Sequence, residues 1–256
     1  MTEPQQTVSI RGLKLGYRHR TLIEHADLTL HRGEFASLIG RNGTGKSTLL
    51  RTLAGLTRPL AGSVCVQGVP LERMSPRTAA ATIAFVSTER IRTANLRAAD
   101  VVALGRTPYT GWTGSLSAAD RRIVEESLAL VGMESFARKT MDSLSDGERQ
   151  RVMIARALAQ QTPVVLLDEP TAFLDVPNKY EISLLLRSLA HTQQRCIVSS
   201  THDLNVAVEM SDTLVLLDSG GIESGPAREM VARGAVQRLF RGTGLTFDPD
   251  TCRVFR

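Results

Sequence analysis

Apolar residues are grouped in short runs over the first sixty positions. Val8-Ser9-Ile10 comes first, then Ala26 to Leu30, then a polar turn, His31-Arg32-Gly33-Glu34, and a continuous apolar run from Phe35 to Ile39. Runs this short, bounded by glycine and polar residues, predict strands. A glycine-rich loop follows at once. Ser47 to Leu53 then reads as a helix closed at Gly55, because glycine takes the left-handed conformation that ends helices. The pattern is strand, loop, helix.

From about Asn95 to Arg156 the rhythm changes to that of helices. Ser117-x-x-Asp120 is a capping box leading into Arg121 to Val131, where Ile123, Val124, Leu128 and Val131 share one face. Helical patterning resumes from Glu148 to Gln160. Strand signals return at Val164 to Leu167, Ile197 to Ser200 and Thr213 to Leu217, with a helix over Lys179 to Ala190 carrying Ile182, Leu185, Leu186 and Leu189. Alternating strands and helices predict an α/β fold whose mainly parallel sheet is covered by helices, with the helical middle inserted on it. The tail from Gly220 reads as a turn, an Ala/Arg/Glu-rich helix and a small strand or hairpin at Thr246 to Asp250 packed on the sheet.

Composition adds limits. With 256 residues, 42% hydrophobic and 22% charged, the chain can bury a full core. No apolar stretch approaches the roughly 20 residues that cross a bilayer. Met1 to Ser9 is polar, without the pattern of a secretory signal. The expectation is a chain that stays where it is made and meets a membrane only through a partner. A net charge of +5 permits anionic partners, but no basic tract stands out, since Arg149, Arg151 and Arg156 lie around one helix. A solvated basic surface, with no nucleic-acid partner, is expected. Cys65, Cys196 and Cys252 lack a C-x-x-C spacing, which argues against a disulfide framework or zinc site and fits a reducing cytoplasm. Cys196 is expected in the core.

The chemistry begins at the glycine-rich loop. Gly40-Arg41-Asn42-Gly43-Thr44-Gly45-Lys46-Ser47 matches the phosphate-binding pattern G-x-x-x-x-G-K-[ST], between the strand and helix that this pattern requires. Its backbone N–H groups would surround phosphates and the following helix, through Thr48, would add its positive end. Lys46 would reach the β- and γ-phosphates, and the Ser47 hydroxyl would ligate Mg²⁺. Val164 to Pro170 is an apolar strand ending in two carboxylates. Asp168 would hold the metal ion, and Glu169, on the opposite side of an extended chain, would polarise a water attacking the γ-phosphate.

Leu144-Ser145-Asp146-Gly147-Glu148-Arg149-Gln150 lies before a helix, and Ser145-x-x-Glu148 is also a capping box. Ahead of a Leu-Leu-Asp-Glu-Pro strand, it resembles the signature of ATP-binding cassette (ABC) proteins. Thr171-Ala172-Phe173-Leu174-Asp175 is similar to that family's D-loop, His202 to its switch histidine, and Tyr17 to its adenine-stacking aromatic. The resemblance covers nearly the whole chain. It implies a RecA-like P-loop NTPase fold with N-terminal antiparallel strands and a helical insert. This would be a single domain over 1–256, with the core at about 1–90 and 160–256 and the helical part at about 91–159. It implies ATP hydrolysis with Mg²⁺, Glu169, His202 and Lys46 being catalytic. It also implies a homodimer in which Ser145, Asp146, Gly147 and Glu148 contact the γ-phosphate held by the other copy. Integral-membrane permease subunits would be driven, a substrate-binding protein would be served indirectly, and the chain would sit on the cytoplasmic face of the inner membrane.

The pattern breaks where the family has Pro-Gln at a strand end. Here Ser87 and Thr88 take those positions, and Thr88 or Glu89 is expected to replace the glutamine as an oxygen ligand or water contact. Thr88 is placed in the metal set. Asp146 and Glu148 stand for the commoner Gly and Gln. Val101 to Tyr109, with Gly105-Arg106-Thr107-Pro108-Tyr109, resembles a stretch of importers for iron–siderophore complexes, haem and cobalamin. Competing readings are import of another cargo, such as a metal ion or phosphonate, and a non-transport cassette ATPase. The latter usually has two cassettes or coiled-coil arms, and this chain has neither. A module that binds nucleotide without hydrolysis is disfavoured by Glu169 and His202.

Overall fold

The computed structural model of the chain describes residues 5–17, 20–88, 95–172, 174–218, 221–249 and 251–256. The chain begins with β1 (Gln6–Tyr17), β2 (Arg20–Ile23) and β3 (Leu28–His31), then β4 (Phe35–Gly40) and α1 (Lys46–Leu53). Next come β5 (Ala61–Val66), β6 (Val69–Pro70), α2 (Pro76–Thr82) and β7 (Ile83–Val86). The helical middle holds α3 (Ala98–Ala103), α4 (Ala118–Leu130) and α5 (Asp146–Ala159). Strands and helices then alternate through β8 (Val164–Leu167), α6 (Val176–Gln193), β9 (Cys196–Ser200), α7 (Leu204–Met210) and β10 (Thr213–Asp218). The chain closes with β11 (Gly221–Pro226), α8 (Ala227–Ala232), α9 (Ala235–Arg238), β12 (Thr246–Asp248) and β13 (Arg253–Phe255).

Two sheets carry the fold. The larger has the order β11-β10-β4-β9-β8-β7 and is parallel except for the antiparallel edge strand β11. The other is antiparallel, in the order β2-β1-β5-β6 with β3 also on β1. Every residue of β4, β8 and β9 is buried, as expected of parallel strands covered on both faces and read as continuous apolar runs. The period of two sorts their side chains. Val164, Leu166, Cys196 and Val198 join the layer between the sheets, with Ile10, Leu13 and Leu50. Val165, Leu167 and Ile197 point the other way, to Val152 and Leu158 of α5 and Ile182 and Leu186 of α6. Leu214 and Leu216 of β10 pack with Met230, Val236 and Phe247 in a third cluster that fastens the tail.

Several expectations change in detail. Val8 to Ile10 is part of a twelve-residue strand, bulged at Leu15/Gly16. Gly16 permits the close pairing there, since a Cβ would lie 2.3 Å from the Arg20 carbonyl oxygen. The helix expected from Lys179 starts earlier, because Asp175 caps it by accepting from the Asn178 N–H at 3.1 Å. The turn expected after Gly220 is the strand β11, and the tail ends in the hairpin β12–β13, with Phe240 and Phe247 stacked beneath it. Cys196 is fully buried and burial pushes its thiol up, as expected of an inert core cysteine. Among the described residues no helix is long and apolar enough to cross a membrane.

The helical middle is joined to the sheet by one cluster, in which Val101, Val124 and Leu128 continue into Val152, Val165 and Ile182. Its lock is Gly105-Arg106. A Cβ on Gly105 would meet the Arg156 carbonyl oxygen at 2.2 Å, so the turn lies directly on α5. Arg106 is buried and donates from Nε to Asp120 Oδ1 at 2.9 Å, and from Nη1 to the Ala159 carbonyl at 2.7 Å and to Gln161 Oε1 at 3.1 Å. The Tyr109 ring lies against the guanidinium, 4.0 Å from its centroid. The stretch that resembles a cargo-branch fingerprint is therefore the bolt between α3, α4 and the end of α5.

Hydrogen bonds from the Ser117 hydroxyl, Arg106 and the Ser117 N–H hold the Asp120 carboxyl at about 2. A depressed carboxylate pKa contributes stability above the unfolded value of 3.8 and loses it as pH falls through about 2. Arg106→Met removes a buried charged partner and is expected to cost about 3 kcal/mol in urea unfolding at neutral pH. It should also flatten the loss of stability in acid between pH 4 and 2, measured by the same titration.

Candidate functional site

The parallel strands β4, β7, β8 and β9 end on the same edge of the sheet, and the candidate residues emerge there. Gly40 closes β4; a Cβ on it would meet the Leu217 carbonyl oxygen at 2.6 Å and Thr44 Oγ1 at 2.8 Å. The loop then turns at Gly43 (φ 78°) and Gly45 (φ 106°), conformations that favour glycine, and delivers Lys46 as the first residue of α1. Arg41 and Asn42 are exposed, and Thr44 Oγ1 donates to the Arg41 carbonyl at 2.9 Å. Lys46 is buried, with Nζ donating to the Gly40 carbonyl at 2.8 Å and the Arg41 carbonyl at 3.3 Å. Burial lowers its pKa, while Glu169 and Asp168 push it back up, so the ammonium and both carboxylates act on one another. Ser47 presents its side chain at the surface, and Thr48 is buried with Oγ1 3.1 Å from the Tyr17 hydroxyl. Tyr17 is 60% exposed, its ring open to solvent beside the start of α1.

Asp168 follows β8 and is buried. Its N–H donates to the Val86 carbonyl at 2.8 Å, its Oδ1 accepts from the Ser200 hydroxyl at 2.8 Å, and its carbonyl accepts from Thr88 Oγ1 at 2.9 Å. Thr88 thus spends its proton on the backbone behind Asp168. Glu89 lies outside the described residues. Glu169 is not on an extended chain as expected. It has φ 50°, in the left-handed region, because its N–H donates to Ser200 Oγ at 2.8 Å and its carbonyl accepts from the Ala172 N–H at 3.0 Å. The turn brings Glu169 Oε1 to 2.6 Å from His202 Nε2, just past β9. Ser200, absent from the expected site, is the hydroxyl on which both acids converge. Its signal in the sequence is a polar residue at a buried strand end.

Ser145 to Glu148 forms a separate unit at the start of α5. The Ser145 N–H donates to Glu148 Oε2 at 2.7 Å and the Glu148 N–H to Ser145 Oγ at 3.3 Å, the reciprocal capping box. Hydrogen bonds to its carboxylate from the Ser145 N–H first, and then from the Ser145 hydroxyl, lower the Glu148 pKa. Asp146 accepts from Arg149 Nη1 at 3.2 Å, and Gly147 faces Asn178 and Leu174 at the start of α6.

Loop, paired acids, histidine and capped helix together are the parts of a cassette ATPase. A family model described as ABC transporter matches residues 23–172, more than half of the chain. The chain belongs to the ABC transporter family. It is similar to the iron(3+)-hydroxamate import ATP-binding protein of Bacillus subtilis (36% identity over 247 residues, 96% of this chain and 92% of that protein). It is also similar to the achromobactin transport ATP-binding protein of Dickeya dadantii (37% over 234 residues, 91% and 87%). Among solved structures, an inward-facing metal-chelate type ABC transporter superposes with a TM-score of 0.81 at 28% identity, over 92% of this chain and 89% of that one. A dimeric cassette in a post-hydrolysis state with ADP and Pi superposes at 0.75, 28% identical, over 86% and 98%. The fold is the RecA-like P-loop architecture with a helical insert, and the chain is an ATP-binding and ATP-hydrolysing subunit of an ABC importer.

The residues fit ATP and Mg²⁺. The loop is open at Gly43, where a Cβ would meet nothing within 4 Å, and the oxygen donors on this edge are hard ones, the Ser47 hydroxyl and the Asp168 carboxylate, as Mg²⁺ prefers. No cluster of three His, Cys, Asp or Glu suited to another metal occurs among the described residues. Tyr17, its ring exposed beside the start of α1, is proposed as the side chain that stacks a base. Tyr17→Ala is expected to raise the Kd for ATP about tenfold and Tyr17→Trp to preserve it, as measured by fluorescent-nucleotide titration.

Proposed function

We propose that two copies of this chain bind two ATP molecules at their mutual interface and drive a permease for a metal-chelate cargo. In each site one copy supplies Gly40 to Thr48, Asp168, Glu169 and His202, and the other supplies Ser145 to Glu148. The observation that carries this reading is the meeting of Lys46, Asp168, Glu169 and His202 on one sheet edge, while the capped start of α5 is built elsewhere on the chain.

The N–H groups of the loop and Lys46 would hold the β- and γ-phosphates. Ser47 and Asp168 would hold Mg²⁺, which neutralises developing phosphate charge. Glu169 takes the proton of the attacking water while His202, bonded to its carboxylate, fixes its orientation. The N-terminus of α5 in the partner copy closes on the γ-phosphate with its positive end. Catalysis is positioning and charge neutralisation rather than covalent chemistry. Thr88, by its bond to the Asp168 carbonyl, steadies the metal ligand where the family has glutamine.

Permease subunits dock in a groove of about 530 Å³ lined by Ala80, Leu104, Pro108, Trp112 and Gln160. Leu104 is 54% exposed and Trp112 fully so, an unusual display of apolar surface beside the end of α5. A substrate-binding protein is served through the permease, and the assembly places this chain on the cytoplasmic face of the inner membrane. A metal-chelate cargo, of the iron–siderophore, haem or cobalamin kind, is supported by the named roles of the relatives and by the likeness of Gly105 to Tyr109 to that branch.

Lys46→Ala is expected to abolish ATP binding, and Glu169→Gln to bind ATP but turn over at least about 100-fold more slowly. Normal turnover in Glu169→Gln would remove the assigned base. Tagged Glu169→Gln chain, held in ATP and drawn from gently solubilised membranes, is expected to bring down a polytopic permease. Recovery of ribosomal or DNA-repair proteins instead would sink the importer assembly.

A further inference from the structure

We propose that Ser200 is a positioning residue for ATP hydrolysis, its single hydroxyl setting the geometry of Asp168 and Glu169 together. The inference rests on the roles proposed above for those two carboxylates.

Ser200 is the last residue of β9 and is fully buried. A serine so placed has one proton to give and lone pairs to receive. The proton goes to Asp168 Oδ1 at 2.8 Å, and a lone pair receives the Glu169 N–H at 2.8 Å. Both partners are consecutive chemistry-bearing residues just past the neighbouring strand β8, 32 and 31 positions away. A serine that merely filled a strand end would bond its own turn or be replaced by an apolar residue, as at every position of β8 and at Cys196, Ile197 and Val198 of β9.

Each bond has a consequence. The bond to Oδ1 fixes the rotation of the Asp168 carboxylate, which selects Oδ2 as the oxygen offered to a metal ion. The bond from the Glu169 N–H supports a left-handed backbone (φ 50°) that side-chain-bearing residues seldom adopt. That backbone puts Glu169 Oε1 2.6 Å from His202 Nε2. Without the hydroxyl, the Asp168–Glu169 peptide loses its buried acceptor and can relax to the extended form. The Glu169 side chain would then leave His202 for the other side of the chain. One buried oxygen therefore couples the orientation of the metal ligand to that of the base.

The test uses the purified full chain. Ser200→Ala is expected to lower kcat about 10- to 100-fold with the KM for ATP changed less than about threefold, because the phosphate loop is untouched. Ser200→Thr keeps the hydroxyl and is expected to stay within about fivefold of wild-type kcat. In the Glu169→Gln background and at saturating Mg²⁺, Ser200→Ala should slow the residual rate by less than about twofold, since the base is already gone and the weakened metal site is filled. Independent of turnover, Mn²⁺ used as a spin probe with ATP should bind about tenfold more weakly to Ser200→Ala/Glu169→Gln than to Glu169→Gln. A Ser200→Ala kcat within threefold of wild type overturns the proposal. So does a Ser200→Thr variant as slow as Ser200→Ala, a full additional loss on Glu169→Gln, or unchanged Mn²⁺ affinity. Normal turnover in Glu169→Gln alone overturns it by a different route, through the role of the base.

Discussion

The parallel pairing of β4, β9, β8 and β7 is the constraint on which the rest depends. These strands are covered by helices on one face and by the second sheet on the other, so they admit apolar side chains along nearly their whole length. Polar chemistry is affordable only where they stop. Because they run in one direction, they stop together, and Gly40, Thr88, Asp168 and Ser200 reach the same edge. Their hydrogen bonds then run from strand to strand, so the site's geometry is inherited from sheet register. A slip of one residue in β9 would carry Ile197 and Val198 each to the opposite face and break the packing that holds the register.

The start of α5 obeys a different rule. A helix start leaves four N–H groups without intrahelical partners, and a capping box supplies two of them. Ser145 and Glu148 do so reciprocally. The arrangement keeps the turn rigid while leaving the dipole end in place for an anion. Asp146 and Glu148 add negative charge there, but Arg149 holds Asp146 and the Ser145 groups hold Glu148. Both carboxylates are thereby drawn into the turn.

Much of this was legible in the sequence, for identifiable reasons. Continuous apolar runs such as Val164 to Leu167 have few competing readings once a glycine-rich loop and paired acids follow such strands. Caps were legible because they are local, as Ser117/Asp120 and Ser145/Glu148 both show. What escaped depends on partners far along the chain. The turned backbone of Glu169 is held by Ser200, and the buried guanidinium of Arg106 finds Asp120, Ala159 and Gln161 across two other helices. Gly105-Arg106 could be read as a family mark, but its mechanical purpose needed the packing of α5. The length of β1 was hidden by Gly12 and Gly16, which look like breaks and are instead places of close pairing or turning within one strand.

The bolt at Arg106 fastens only one end of α5. At 14 residues the helix is about 21 Å long, with Ala159 clamped at its C-terminal end and Ser145 standing at its N-terminal end. Tyr109 also holds that clamped end, donating from its hydroxyl to the Gln160 carbonyl at 2.8 Å. Near the other end Arg149 Nε donates to the Met141 carbonyl at 2.9 Å, so the helix and the turn before it form one lever. A tilt of about 5° at the pivot would carry the far tip by about 2 Å, the span between a formed and a broken hydrogen bond. By its length alone this helix would turn a push on the surface around Gln160 into a displacement at Ser145.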